Sequence, residues 1–208
     1  MAPLLAGFLA VGASAEGSAQ APSPPQSEAS NWDFAASVYA YYVPNSRDYM
    51  QPTFMANRHG LHLEARYNYE DLESGSVWFG YNYSIGEKVS LAMTPVLGGV
   101  IGKTTAIAFG YRVDLAWWWL DLYTEGEIVL DTGPGENTFF YSWSELTLSP
   151  VDWLKAGLVA QRTHVFQTER ELQPGVLLGV RFEPIGITGH VFDPDLEPVV
   201  VISIDGEF

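Results

Sequence analysis

The sequence predicts an all-β protein, a closed antiparallel up-and-down transmembrane β-barrel of about 12 strands. Three observations carry that expectation. From residue 32 onward, apolar and polar residues alternate in short runs, the period of two that marks strands with unlike faces. No apolar run approaches the roughly 20 residues that a spanning helix needs, so any membrane crossing is made by strands. The connections between runs are tight and long by turns, as in an up-and-down barrel.

A chain of 208 residues suits one domain. The formal net charge of −15, from 25 acidic and 10 basic residues, opposes binding to a phosphate backbone and excludes nucleic acid as a partner. With no cysteine, there is neither a disulfide framework nor a thiolate nucleophile or metal ligand. No cofactor is implied.

At the N-terminal end, residues 1–21 combine a short apolar stretch with the small-residue sites Ala13-Ser14-Ala15 and Ala19-Gln20-Ala21. This segment resembles a secretory signal peptide, although no Lys or Arg precedes Arg47. Residues 22–31 are rich in Pro, Ser and Gln and read as a disordered linker. The barrel is expected over residues 32–208.

A first strand is placed near residues 33–43. Residues 61–70 give the clearest alternation: Leu61, Leu63, Ala65, Tyr67 and Tyr69 face one way, and His62, Glu64, Arg66, Asn68 and Glu70 the other. Residues 77–85 repeat it, with Val77, Phe79, Tyr81, Tyr83 and Ile85 against Trp78, Gly80, Asn82 and Ser84. So do residues 107–117, whose polar face carries Arg112 and Asp114, and residues 176–183. Further strands are expected near residues 88–100, 119–131, 138–149, 152–166 and 185–193. The final run, 198–208, sets Val200, Ile202, Ile204, Gly206 and Phe208 against Val201, Ser203, Asp205 and Glu207.

That last strand, apolar on one face and closing on Phe208, resembles the terminal strand of bacterial outer-membrane β-barrels of the porin-like class. The resemblance implies an outer-membrane location. Its implied partners are the lipid bilayer, lipopolysaccharide and the barrel-assembly machinery, for which Val200, Ile202, Ile204 and Phe208 would form the insertion signal. It also implies an even strand count. The runs above number eleven, and residues 44–58 are too long for a tight turn unless they hide a strand near residues 49–56, at the cost of a ladder donor at Pro52. That strand makes twelve. About eleven residues at roughly 3.3 Å each, tilted about 40°, rise on the order of 28 Å, the height of a membrane barrel's apolar band.

Alternation alone also suits a soluble secreted barrel or sandwich. The membrane reading rests on an apolar face nearly free of charge, and on Trp117, Trp119 and Trp153 beside proposed tight turns, where an aromatic girdle sits.

If the polar faces point inward, Glu64, Glu70, Asp114, Asp121, Glu125, Glu127, Asp131, Glu145, Glu183, Asp205 and Glu207 meet only Arg66, Arg112, Lys155 and Arg181. Threading through the tight turns sets Glu125 roughly opposite Glu145, with Arg112 one strand to one side and Lys155 one strand to the other. Two readings stay open: an ion network that fills a narrow barrel, or a selectivity lining for small cationic or neutral polar solutes. Trp78, Tyr123 and Trp143 on the same face are either filling bulk or stacking surfaces for a solute.

Twelve-stranded barrels also include lipid-processing hydrolases, which are the rival function. His190 lies diagonal to Ser203, with Asp205 beyond it, but that constellation faces the lumen and no hydrolase motif surrounds it. No catalytic residue is assigned. His62 and His164 lack the company of a metal site, and residues 131–137 and 193–195 are explained by turn chemistry rather than by calcium binding.

Overall fold

The computed structural model describes residues 32–86, 88–133, 138–165, 171–195 and 197–208. The leader and linker expected over residues 1–21 and 22–31 fall wholly outside this range, as do residues 134–137. The strands are β1 Asp33–Tyr42, β2 Tyr49–Arg58, β3 Leu61–Tyr67, β4 Ser74–Tyr81, β5 Tyr83–Ile85, β6 Val89–Gly102 and β7 Ala106–Trp117. They continue with β8 Leu120–Asp131, β9 Phe139–Val151, β10 Leu154–Val165, β11 Glu171–Phe182, β12 Ile185–Phe192 and β13 Val199–Glu207.

Each strand pairs antiparallel with its chain neighbours, with β4 and β5 both pairing β6. Those two short strands are one stave interrupted at Asn82, so the thirteen segments make twelve staves. The ring closes between β1 and β13 through a ladder from Ala35↔Glu207 to Tyr42↔Val200. At its lower end Phe34 and Phe208 exchange backbone hydrogen bonds of 3.1 and 2.9 Å, and their rings stack at 6.1 Å.

The strand hidden between residues 44 and 58 is β2. Pro52 is tolerated because the β2–β3 ladder stops one residue short of it, at Thr53↔Arg66, leaving no partner there for the missing N–H. Tight turns gather at the end where β1 begins and β13 ends, the periplasmic end of such barrels, and longer connections at the other. Trp117, Trp119 and Trp153 stand exposed around the tight-turn end.

Facing is unambiguous. Along β3 the polar residues His62, Glu64 and Arg66 are buried, while Leu63, Ala65 and Tyr67 are exposed. Val77, Phe79, Tyr81, Tyr83 and Ile85 are all exposed, and Trp78 is buried. An apolar exterior around a polar interior is the arrangement a bilayer demands, because a lipid-facing cation would cost ~2–4 kcal/mol at mid-membrane. The expected insertion-signal residues Ile202, Ile204 and Phe208 lie on this exterior, with Val200 half-buried beside them.

One strand departs from expectation. β3 ends at Tyr67, not at residue 70, because Asn68 adopts a left-handed conformation with φ 57°. Its side chain fixes the turn, donating to Met50 O at 3.0 Å and accepting from Glu73 N at 2.8 Å. Tyr69, expected outside with Tyr67, is therefore turned inward.

Candidate functional site

The candidate site is the lumen. Its residues come from the inward positions of the strands and from the segment of residues 68–73, which folds in from the long-loop end.

On the β3–β8 arc, Glu64 is the hub. Its carboxylate accepts from Arg66 Nε at 2.7 Å and Arg112 Nη2 at 2.6 Å, and His62 Nε2 lies 3.2 Å from its second oxygen. Arg66 also reaches Glu127 on β8 at 2.9 Å and lies 3.6 Å from Glu70. The strands β4, β6 and β7 separate β3 from β8 around the wall, so this ion pair is a chord across the lumen. The Arg66 guanidinium sits between the rings of Tyr69 and Trp78, at 4.3 and 4.4 Å from their centroids. Trp78 itself lies flat on the wall above Gly98, where any Cβ would come within 2.4 Å of the indole, so only glycine fits beneath it. Its N–H donates to Glu70 at 3.1 Å and to Ser76 at 2.9 Å.

Glu125 completes this arc. It accepts from Arg112 Nε at 3.3 Å, from the Tyr123 hydroxyl at 2.6 Å and from the Tyr69 hydroxyl. Around Arg66 and Arg112 there are four carboxylates, Glu64, Glu70, Glu125 and Glu127, and one oxygen of Glu70 and one of Glu127 have no hydrogen-bond partner.

On the other arc, Glu145 accepts from Trp143 Nε1 and contacts His190 Nε2, each at 2.9 Å, with Lys155 Nζ at 3.9 Å. Tyr39 on β1 meets Trp143 edge-on at 6.0 Å and stacks on His190 at 6.3 Å. Phe192 packs against Trp143 at 5.2 Å. Toward the long-loop end two apolar clusters line the interior, one around Tyr41, Trp143, Leu177 and Phe192 and one around Trp78, Val100 and Val129. Against the β6–β8 wall, a crevice lined by Arg66, Tyr69, Val96, Gly110, Tyr111, Glu125, Gly126, Glu127 and Tyr141 measures about 10 Å³, room for about one water. Toward the tight-turn end the wall is more open: Asp114 is exposed, and Arg181 pairs with Asp205 at 3.3 Å.

The lumen residues singled out in the sequence thus divide between two groups. Glu64, Arg66, Trp78, Arg112, Tyr123, Glu125 and Glu127 meet in the first, and Trp143, Glu145 and Lys155 in the second. Arg112 is paired directly with Glu125, as the two-residue turn at Trp118-Trp119 dictates. Glu125 is not opposite Glu145, however. It faces Trp143, and Glu145 faces Tyr123, because the long β8–β9 connection leaves their register free by two residues. Glu183 lies in the β11–β12 turn with a well-exposed side chain rather than in the lumen. His190 and Ser203 do not join: His190 Nε2 goes to Glu145 and Ser203 Oγ to Thr188 O at 3.5 Å. Among the described residues, no group of His, Asp and Glu is arranged to hold a metal ion. Tyr39, Tyr69 and His190 are contributors that the sequence reading left out of the site. The strict alternation of Ser37, Tyr39 and Tyr41 was the available signal for the first.

No family model matches the chain, and no curated protein is similar to it in sequence. Solved structures are similar in fold. A KdgM porin aligns with a TM-score of 0.61 at 9% identity, covering 84% of this chain and 99% of its own. A KdgM porin in complex with disordered oligogalacturonate aligns with a TM-score of 0.60 at 8% identity over the same shares. The fold is that of a bacterial outer-membrane porin. Its apolar exterior suits that membrane, and both neighbours are porins.

Proposed function

We propose that this chain is a porin-like barrel that admits small cationic or neutral polar solutes through an acidic lumen, and that it rests in a closed state. The observation that carries this reading is the charge of the inner wall. Glu64, Glu70, Asp114, Asp121, Glu125, Glu127, Glu145 and Asp205 stand against Arg66, Arg112, Lys155 and Arg181. A wall with surplus carboxylate raises the local concentration of cations and repels anions. It is poorly suited to an anionic chain such as the oligogalacturonate in the second KdgM structure. Trp78, Tyr123 and Trp143 offer ring faces, but Trp78 and Trp143 are packed in the closed state. Opening requires Tyr69 and Glu70 to withdraw, and both ride on the segment joining β3 to β4, which is anchored by the Asn68 turn.

The second reading, a filled structural barrel, is favoured by the cross-lumen ion pairs and by the buried rings packed around Trp143. Planar-bilayer recording separates the two. A channel gives conductance steps with cation-selective reversal potentials in a salt gradient, and Tyr69→Ala raises their frequency. Silence of both wild type and Tyr69→Ala assigns the filled barrel, and anion selectivity overturns the acidic-lumen reading.

A further inference from the structure

The outer wall carries a polar row that the lumen does not explain. Among the described residues, the strand positions turned toward lipid hold no carboxylate and two arginines, Arg58 and Arg162. Arg58 closes β2 at the tight-turn end and lies 5.7 Å from the ring of Trp32. Arg162 is different. It alternates with the inward Val159, Gln161 and Thr163, so it faces outward, three residues before β10 ends at Val165. β10 runs from the tight turn toward the long connections, so Arg162 stands in its long-loop half, the side of the outer leaflet.

The ladder extends the row. Arg162 pairs with Ser142 on β9, Ser142 with Gly126 on β8, and Gly126 with Tyr111 on β7. Gly126 lacks a side chain where a Cβ would lie 2.9 Å from the Tyr111 ring and hydroxyl, so the phenol lies across it. That sets the Tyr111 hydroxyl over β8, one strand from Ser142. The next row toward the periplasmic end behaves otherwise, since Thr124 and Ser144 satisfy each other at 2.9 Å. Arg162 has no such closure. Its Nε is buried without a hydrogen-bond partner, no carboxylate among the described residues pairs with it, and its one described contact is the Phe140 ring at 5.7 Å. A lipid-facing guanidinium with a buried N–H that no described residue meets can take an anionic acceptor from the outer leaflet.

We propose that Arg162, Ser142 and Tyr111 form a binding site for the phosphorylated sugar headgroup of an outer-leaflet lipid. Arg162 supplies a forked, permanently charged donor for phosphate oxygens, and the two hydroxyls supply donors or acceptors for phosphate and sugar. Phe140 offers an apolar edge beside the charge. On a chain of net charge −15, an anionic lipid is retained only where a local positive group overcomes the general repulsion, and among the described lipid-facing positions of the long-loop half Arg162 is that group. The inference rests on the barrel standing in an outer membrane and is independent of whether its lumen conducts.

The test is thermal unfolding of the purified full chain in mild detergent, titrated with bis-phosphorylated lipid A, with dephosphorylated lipid A, and with inorganic phosphate. Only the phosphorylated lipid should raise the midpoint. Arg162→Gln should weaken the apparent affinity on the order of tenfold, Arg162→Lys should keep part of it, and Arg58→Gln should leave it unchanged. Should Arg162→Gln fail to assemble, Ser142→Leu blocks the row without touching the charge and should show the same loss. Equal responses of wild type and Arg162→Gln overturn the site. Inorganic phosphate matching the lipid overturns the lipid as occupant. Either result leaves the conductance question where the bilayer recordings put it.

Discussion

Arg66 reaches from β3 to Glu127 on β8, and Trp143 on β9 reaches Tyr39 on β1; each closes one side of the same lumen, by different physics. The first arc is held by buried charges. Its carboxylates outnumber its guanidiniums, so each cation is shared among several acids and the loss of one is felt by all. The second arc is held by rings, with the single carboxylate Glu145 satisfied by an indole N–H, an imidazole and a lysine at its edge. Ring packing tolerates exchanges that nearly keep shape and volume. Buried ion pairs do not, since an unpaired buried charge has no cheap alternative. The difference predicts that the two arcs fail differently when cut.

The largest effect is expected for Arg66→Ala. It strips Glu64 and Glu127 of their shared cation and should destabilise the barrel by about 3–5 kcal/mol in detergent unfolding. Adding Glu127→Gln should restore part of that loss, because one of the abandoned charges is gone. A destabilisation below about 1 kcal/mol would mean that these carboxylates are hydrated in an open lumen, and the contrast between the arcs would collapse.

In the aromatic arc, Trp143→Phe keeps a ring against Tyr39 and Phe192 but removes the N–H that Glu145 accepts. A loss of about 1–2 kcal/mol is expected, with Lys155 and His190 still satisfying the carboxylate. An effect as large as that of Arg66→Ala would show that Glu145, not the rings, governs this side.

Tyr69→Phe probes the join between the arcs, since Tyr69 stacks on Arg66, donates to Glu125 and meets Tyr141 edge-on at 5.8 Å. The ring stays and one hydrogen bond goes, so about 1 kcal/mol is expected. The sharper readout is conductance, where more frequent opening would identify residues 68–73 as the moving part. Unchanged conductance in the face of lowered stability would make the segment a fixed filler.

How much of this was legible depends on what sets each residue's place. Facing followed from alternation wherever a strand ran unbroken, which is why His62, Glu64, Arg66 and Trp78 were placed inside correctly. Arg112 against Glu125 followed from a two-residue turn, because a turn that short allows one register. Glu125 against Glu145 did not, because the connection between β8 and β9 is long and ladder energetics alone chose the offset. Tyr69 was misplaced for another reason: the alternating letters continue through residue 70, but a left-handed Asn68 ends the strand and breaks the parity. Asparagine is among the few residues that adopt this conformation readily, so the signal was present but not decisive. His190 and Glu145 lie 45 positions apart in sequence and three strands apart around the ring, and no local pattern joins them.

The smallest expected effect tests whether the arcs are separate at all. Lys155 is half-exposed and stands 3.9 Å from Glu145, so Lys155→Ala should lose less than about 1 kcal/mol, screened as partly exposed pairs are. Combined with Arg66→Ala, its effect should add to within about 0.5 kcal/mol, because no shared partner among the described residues links the two cations. The route for any coupling is visible: Tyr123 donates to Glu125 and is paired on the ladder with Glu145. A coupling above about 1 kcal/mol would mean that Tyr123 transmits the loss from one carboxylate to the other. The lumen would then be one network with an aromatic bridge, and Tyr123→Phe should abolish the coupling while leaving both single effects in place.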